Sequence, residues 1–475
     1  RSPPASSCLL TDMVPDTPPS LTSIERSALF VATLTSFMGP FMISAVNVAL
    51  PSITADLGVD AVQRSWVATA YLGAVAVGLI PSGRIADIHG RKRVFTTGLV
   101  VYTLSALAAS FVTTGFALIA LRAVQGLGVS LFTTTGMAIL TSIFPPERRG
   151  RALGIYVAAV YVGLSVGPFV GGQLTHLFGW RSIFLVMGPL GAGSIAVTLL
   201  FLKGEWAEAR GQRFDLGGTL VYAVSMIALA CGASILPSVA GAVLLAASLL
   251  GFGLFFRLQI RSPHPVFEVS LLVENRVFAF SCLAALLNYS ATFGTTFLMS
   301  LYLQYIQGLP PQTAGLVLMA QPVMMALFSP VAGRLSDRIE PRLLASTGMG
   351  IIVVGMVVFT RVATDTPLGG IVANLVLLGF GFALFSSPNM SAIMGSVAKH
   401  QYGLASGTAA TMRLLGQMMS MATATVVLAL LVGREAIEPH NYARFLLSVR
   451  TAFTISALLC TAGVFFSLFR GRLRQ

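Results

Sequence analysis

Two arginines, Arg122 and Arg413, stand within long apolar segments, where a charged side chain is expensive. Even the mildest insertion scale gives a charge at mid-membrane a cost of at least about 2.5 kcal/mol. Arg122 shares a helix face with Gln125, three residues later. We therefore expect Arg122 to face a bundle interior or a wet cavity and to have a functional role. The alternative is a structural anchor that hydrogen-bonds to carbonyls of a neighbouring helix.

Uncharged polar residues accompany the two arginines in the apolar segments. Such a set suits a neutral or anionic amphipathic substrate better than a cation, which normally needs a buried negative partner. Polar residues in bundles also act as interhelical hydrogen-bond partners, and this alternative stays open for Asn288, Gln321 and Asn374. The side chains assigned to a substrate cavity are Asn47, Arg122, Gln125, Asn288, Asn389, Arg413 and Gln417.

The groups that usually carry protons or catalyse reactions lie outside the apolar segments. All 17 acidic residues and all 5 histidines fall in loops, tails or span ends. The sequence therefore offers no carboxylate or imidazole at mid-membrane as a proton carrier. The 4 cysteines are far apart and three lie in apolar runs, so we expect neither a disulfide framework nor a metal site. We also expect no catalytic residue and no cofactor.

The composition indicates a membrane protein. The 475 residues are 55% hydrophobic and 10% charged, whereas a soluble domain carries about a quarter charged residues. One span needs roughly 20 mostly apolar residues, because the hydrocarbon core is about 30 Å thick. A nucleotide-driven pump is disfavoured because the sequence has no G-x-x-x-x-G-K-[ST] loop.

Apolar runs bounded by charges, proline and glycine predict fourteen membrane-spanning helices. The first six lie near residues 28–50, 65–83, 94–112, 116–140, 152–175 and 182–202. Two closely spaced runs follow at 215–236 and 239–257. The last six lie near 277–305, 312–333, 343–361, 368–397, 404–432 and 446–469.

These runs divide an all-α integral membrane protein into six parts. The first part is rich in Ser, Pro and Thr and lacks the charged region and apolar core of a cleavable signal peptide. The predicted parts are a disordered tail at 1–24, a six-helix bundle at 25–203, an inserted two-helix hairpin at 204–257, a cytoplasmic connector at 258–275, a second six-helix bundle at 276–470 and a basic tail at 471–475.

The distribution of positive charge predicts the orientation. With an even number of spans both termini lie on one side, and 22 of the 30 Lys and Arg residues fall on that side. Six fall on the opposite side, and two lie inside spans. Because cytoplasmic loops carry the excess of Lys and Arg, both termini are predicted to be cytoplasmic. The net charge of +13 then indicates contact with the lipid bilayer rather than with nucleic acid.

A charged motif follows the second span and recurs in the second half of the chain. Gly83 to Arg93 reads G-x-x-x-D-x-x-G-R-K-R, and Gly333 to Arg338 repeats its beginning at the corresponding place. Glycine lets helices approach, and aspartate can accept hydrogen bonds from arginine or from a helix N-terminus. A single copy could be a solvated loop that only sets topology, but the repeat favours a gate. The gate candidates are Gly83, Asp87, Gly90, Arg91, Gly333, Asp337 and Arg338.

The fifth span carries the pattern G-x-x-x-G-P-x-x-G-G. Three of its glycines share a helix face around a proline. The pattern predicts a close helix contact and a bend, whereas glycine spacing alone would indicate only packing. The candidates are Gly163, Gly167, Pro168, Gly171 and Gly172.

These motifs resemble those of a known family. The stretch from Gly83 to Arg93 resembles the cytoplasmic loop signature of the major facilitator superfamily, and the fifth span resembles the motif of its exporters. The end of the first span, Val46 to Pro51, the turn at Gly179-Trp180-Arg181 and the inserted hairpin resemble its fourteen-span drug:proton antiporter branch. The resemblance covers roughly residues 25–470.

The resemblance implies two six-helix bundles and a cytoplasmic gate latched by the aspartate loops. It implies multidrug-type export of small amphipathic compounds from the cell by alternating access in the cell membrane, with protons as the coupling ion. We expect a monomer whose partners are lipid, substrate and protons. That branch commonly carries an aspartate five residues before the asparagine matched by Asn47, where this chain has Met42. The residue that carries the proton is therefore left open.

Three other functions stay open from the sequence. The first is transport of a specific neutral or anionic metabolite without a carboxylate in the core. The second is a membrane-embedded enzyme, which would need catalytic groups gathered on an interfacial loop; the connector at 258–275 has no recognisable set. The third is a sensor or scaffold that moves no solute.

Overall fold

A computed structural model describes residues 21–59, 61–235, 238–263, 265–433 and 439–471. Within these ranges the chain is helical and contains no strand. Most of the predicted first tail and all but one residue of the predicted basic tail, 1–20 and 472–475, lie outside the described residues.

The first group of helices contains six members that pack in pairs. α1 packs against α5, α2 against α4, and α3 against both α4 and α6. α1 begins with a capping box in which the amide N–H of Glu25 donates to Thr22 Oγ1, and that of Thr22 donates to the Glu25 carboxylate. The helices are α1 (Ser23–Leu57), α2 (Ala61–His89), α3 (Arg91–Ala109), α4 (Gly115–Ile143), α5 (Pro146–Phe178) and α6 (Arg181–Phe201).

The inserted hairpin consists of α7 (Leu216–Ser234) and α8 (Val239–Arg261), which pack against each other. Asp215 caps α7 and Ser238 caps α8, each accepting a backbone N–H three residues later. α7 also contacts α2 of the first group and the helix α16 (Tyr402–Leu431) of the second. The hairpin therefore lies against both groups.

The second group repeats the arrangement of the first. α10 packs against α16 and α17, and α14 packs against α15 and α17. The short α9 (Ser270–Val273) precedes it. The members are α10 (Arg276–Thr292), α11 (Gly294–Leu301), α12 (Pro311–Leu318), α13 (Ala320–Ser336), α14 (Pro341–Phe359), α15 (Leu368–Gly395), α16 (Tyr402–Leu431) and α17 (Tyr442–Phe469).

Two of the predicted spans are interrupted rather than continuous. The span at 277–305 is divided into α10, α11 and a π-helical turn at Tyr302–Ile306. The span at 312–333 is divided into α12 and α13. Pro322 accounts for the second break. It has no backbone N–H to donate to the carbonyl of Leu318, the last residue of α12, and its ring clashes with that carbonyl.

Within the described residues, twelve helical segments are long and apolar enough to cross a membrane, when α10, α11 and the π-helical turn are counted as one segment and α12 and α13 as another. α3 does not reach that criterion because it begins with three basic residues; α7 is apolar, but its segment Leu216–Gly232 is shorter than the 18 residues required. Every predicted span nevertheless coincides with helix. The loop predicted from Gly83 onward is different: α2 continues to His89, so Gly83 and Asp87 lie on a helix, and Gly90 alone separates α2 from α3.

The two groups meet on two sides. α2 and α4 contact α16 on one side, and α5 contacts α13 and α15 on the other. The two sides correspond under the repeat, since α2 and α13 each end in the charged motif. These contacts enclose the centre of the molecule.

Candidate functional site

A cavity of about 110 Å³ lies between the two groups. Its wall includes Tyr71 of α2, Tyr156 and Tyr161 of α5 and Tyr289 of α10, with aliphatic side chains between them. A smaller pocket of about 20 Å³ shares Tyr289 with it. The wall is thus mostly apolar and aromatic. The hydroxyls of Tyr71, Tyr156 and Tyr161 are hydrogen-bonded within the protein, and a phenol oxygen that donates can still accept.

Arg413 and Gln417 of α16 bring polar groups to this wall. Both line the cavity, and Arg413 also lines the smaller pocket. Arg413 is half-buried and forms no hydrogen bond or ion pair with any residue that the structure describes. Its guanidinium lies close enough to Tyr156 and Tyr161 to interact with them electrostatically. A guanidinium in this position can bind an anionic group of a ligand.

Arg122 and Gln125 were expected in the cavity but lie behind its wall. Arg122 donates from Nη1 to Gln125 Oε1 at 2.6 Å and from Nε to the carbonyl of Val67 at 3.2 Å. Its guanidinium lies over the ring of Tyr71, 4.0 Å from the centroid. Both residues are about 1% exposed. Arg122 therefore has the contacts of an anchor between α4 and α2 and reaches the cavity only through Tyr71.

The three asparagines occupy different environments. Asn389 lines the smaller pocket and donates from Nδ2 to the carbonyl of Ser281 at 3.0 Å. Asn288 is fully buried beside Cys460, and Asn47 is exposed on α1. Neither of them lines the cavity, so the expected seven-residue set reduces at the two pockets to Asn389, Arg413 and Gln417.

Arg470, which directly follows α17, is a buried partner of Asn389 that the sequence analysis did not single out. It donates from Nη1 to Asn389 Oδ1 at 2.7 Å and to Ser281 Oγ at 3.1 Å. Burial lowers the pKa of Arg470 to about 9, and the charge of Glu340 offsets part of that effect. The guanidinium is therefore charged at neutral pH and holds the amide that borders the smaller pocket.

On the face where the charged motifs lie, Asp87 joins the end of α2 to the start of α16. The carboxylate accepts the backbone N–H groups of Gly403 and Leu404, each at 3.1 Å. Arg91 donates to the same carboxylate from Nε at 3.0 Å and from Nη2 at 2.8 Å. Both side chains are almost completely buried. A carboxylate at a helix N-terminus satisfies orphan N–H groups and favours the helix dipole.

Asp337 makes the corresponding connection between α13 and α5. Its carboxylate accepts the N–H of Gly150 at 2.7 Å and that of Arg151 at 2.9 Å. The side chain of Arg338 is exposed. Each aspartate thus accepts two backbone N–H groups from a helix of the opposite group: the second and third residues of α16 at one crossing, and the fifth and sixth residues of α5 at the other.

Glycines allow these crossings to be close. A Cβ on Gly83 would overlap the carbonyl of Gly403, and a Cβ on Gly333 would overlap that of Gly150. Gly90 has a φ of 108°, a backbone conformation that favours glycine. We name the contacts of Asp87 with α16 and of Asp337 with α5 the aspartate crossings.

The fifth-span glycines lie on α5, which is continuous through Pro168. Gly163, Gly167 and Gly171 face α1, where an added Cβ would approach the backbone or Cβ atoms of α1 within 2.6 Å. Gly172 has more room, with Val48 Cγ1 at 3.7 Å. Three of the four glycines therefore permit the close contact between α5 and α1.

Two groups of membrane helices around a central cavity, joined at the aspartate crossings, define a membrane transporter. The chain matches the Major Facilitator Superfamily over residues 29–421 and 281–474. It belongs to this superfamily and is a multi-pass transporter of the cell membrane rather than an enzyme.

Known relatives cover almost all of the chain. It is 31% identical to the multidrug resistance protein Stp of Mycobacterium tuberculosis, over 88% of this chain and 79% of that protein. It is 28% identical to the riboflavin transporter RibZ of Clostridioides difficile, over 93% and 96%. The crystal structure of the human organic anion transporter MFSD10 has the same fold, with a TM-score of 0.66, 15% identity, and coverage of 93% of this chain and 99% of that one.

Proposed function

We propose that the chain is a secondary active exporter of small amphipathic compounds that works by alternating access. One observation carries this proposal: the cavity lies between two helix groups whose contacts on one face are the aspartate crossings. Rocking of one group against the other would break those crossings and expose the cavity to that face. Gly167 and Pro168, on α5 between the groups, are the positions where a bend would accompany this movement.

Fourteen spans with cytoplasmic termini fit the helix packing best. α3 and α7, the two long helices that are not among the twelve, each have helix partners within the assembly. The carboxylate of Glu25, at the start of α1, pairs with Arg148 at the start of α5, 3.1 Å away. The beginning of α1 therefore shares a face with the aspartate crossings, and the excess of Lys and Arg on this face supports a cytoplasmic location.

The cavity favours a neutral or anionic amphipathic substrate. Arg413 offers an uncompensated positive charge, Gln417 and the tyrosines offer neutral hydrogen bonds, and the remaining wall is apolar. No acidic residue of the described chain lines either pocket. The name of the relative Stp supports export of drug-like compounds by this chain.

The proton gradient is the proposed energy source, on the resemblance to drug:proton antiporters, and the working unit is proposed to be the monomer. An alternative is transport of one specific neutral or anionic metabolite. The relative named as a riboflavin transporter favours this second function.

Accumulation in cells tests both functions. Cells with and without the protein are loaded with anionic, neutral and cationic fluorescent amphiphiles of similar size, before and after a protonophore. We expect the protein to lower accumulation of the anionic and neutral probes, and the protonophore to abolish the difference. Equal accumulation of all probes in both cell types would contradict multidrug export. A difference that survives the protonophore would contradict only the proton coupling.

A further inference from the structure

The phenol of Tyr222, on the inserted hairpin, reaches the seam between the two helix groups. Tyr222 is 1% exposed, and its Oη donates to the carbonyl of Ala76 on α2 at 2.9 Å. The hydroxyl of Thr411, on α16, lies near the same phenol and is buried without a hydrogen-bond partner within the described residues. A phenol can donate one hydrogen bond and accept another. It can therefore serve both groups at once.

This contact lies directly behind the cavity wall. Ala76 follows Val75, and Thr411 follows Ala410; Val75 and Ala410 both line the cavity. α7 contacts both α2 and α16, so the hairpin covers the line along which they meet. A relative movement of α2 and α16 would change the position of this phenol.

Aromatic side chains of α8, the other helix of the hairpin, pack against the ring of Tyr222. The rings of Phe252 and Phe255 on α8 lie 6.3 Å and 5.5 Å from it, centroid to centroid. α7 and α8 are joined nearby, because Ser248 Oγ donates to the carbonyl of Ser225 at 2.9 Å. The phenol is thus pre-positioned and loses little side-chain freedom when it forms the contact.

We propose that Tyr222 is a positioning residue that ties the hairpin across the seam between α2 and α16 and stabilises the arrangement with intact aspartate crossings. The inserted hairpin then has a mechanical role in the transport cycle. Hydrogen bonds weaken steeply when their geometry is lost, so the tie acts in one arrangement and is released in the other. This inference rests on the alternating access of the proposed function, but it concerns an element outside the cavity and the gate.

A distance measurement without substrate tests the tie. Spin labels are placed at His89→Cys and His400→Cys, two exposed positions beside α2 and α16, with Cys8 and Cys231 replaced by serine. In Tyr222→Phe, which keeps the ring, we expect the ratio of long to short distances to rise roughly two- to tenfold, the effect of one ordinary hydrogen bond. Val224→Ala, on the 65% exposed side of α7, is the matched control and should leave the ratio unchanged.

Thr411→Val tests the partner on the opposite group while preserving its shape. If the hydroxyls act together, this variant also raises the ratio, and the double variant with Tyr222→Phe has less than the sum of the two effects. Unchanged ratios in both single variants, or strictly additive effects, would overturn the tie. Because the ratio is measured without transport, a failure of export with a shifted ratio would contradict the proposed function and leave the tie standing.

Discussion

Arg413 is the residue whose charge should decide which substrates are transported. Replacing it with Gln removes the uncompensated guanidinium at the cavity wall, where a charged hydrogen bond contributes about 1.5–3 kcal/mol. In proteoliposomes, we expect the initial rate for an anionic amphiphile at low concentration to fall at least about tenfold, and that for a neutral one to change little. Arg413→Lys should recover part of the rate.

Arg361→Gln is the control for Arg413, because it removes an equal charge from an exposed position outside the cavity and the gate. An equal loss for the anionic and neutral probes in Arg413→Gln would show that the arginine supports the wall rather than the substrate.

Asp87 should be indispensable for a different reason. Asp87→Asn keeps the shape of the side chain but leaves Arg91 buried without its counter-charge. It also weakens the hydrogen bonds that the side chain accepts from the backbone N–H groups of α16. Breaking a buried pair typically costs about 3–5 kcal/mol. We expect transport to fall at least about tenfold and the thermal midpoint to decrease. Asp365→Asn, exposed in a loop, should alter neither. Transport at the wild-type rate in Asp87→Asn would contradict the latch.

The sequence identified residues with a distinctive type and repeat, and missed those without either. Asp87 and Asp337 are recognisable because an acid in a repeated basic motif is uncommon. Tyr71, Tyr156 and Tyr161 are not, because a tyrosine in an apolar run looks the same whether it packs or lines a cavity. Arg470 was missed because burial at the end of a helix depends on how α17 packs, which no local pattern encodes.

Among the helices, the contact of α2 with α16 should tolerate no side chain at Gly83. A Cβ in Gly83→Ala would overlap the backbone of Gly403, which cannot rotate away. We expect the two helices to be forced apart, with a lower thermal midpoint and an increase in the open arrangement in the spin-label assay. Gly73→Ala, on the same helix with no atom within 4 Å, should be neutral or slightly stabilising. Equal behaviour of the two variants would contradict the close crossing.

Helix positions were predictable because about 20 apolar residues must cover the hydrocarbon. Helix ends were less predictable. α2 continues to His89 since the carboxylate of Asp87 is satisfied on the helix by α16, an interaction between groups far apart in sequence. The division of α12 and α13 was readable in principle from Pro322, but proline inside a membrane helix does not always break it.

For the whole molecule, the internal repeat and the charge distribution predicted two related groups with a hairpin between them. They did not predict where the hairpin packs, because its position in the sequence does not determine which helices it contacts. In the structure α7 of the hairpin packs against both α2 and α16, and the phenol of Tyr222 donates a hydrogen bond to α2.

Access to the cavity provides the test at the scale of the whole molecule. Thr133, which lines the cavity, is replaced by Cys with Cys8 and Cys231 changed to serine; Cys282 and Cys460 are buried. A membrane-impermeant thiol reagent is applied to vesicles of known orientation. With intact aspartate crossings we expect slow labelling from the cytoplasmic side. Adding Asp87→Asn and Asp337→Asn should accelerate labelling from that side at least about tenfold, because both crossings that close it are weakened.

The same labelling also tests the predicted orientation. Faster labelling from the opposite side alone would place the aspartate crossings outside the cell and reverse the topology. No acceleration from either side would show that the crossings do not close the cavity. The pair Asp365→Asn and Arg361→Gln, which changes exposed charges outside the crossings, should leave the labelling rate from the cytoplasmic side as it is in the parent.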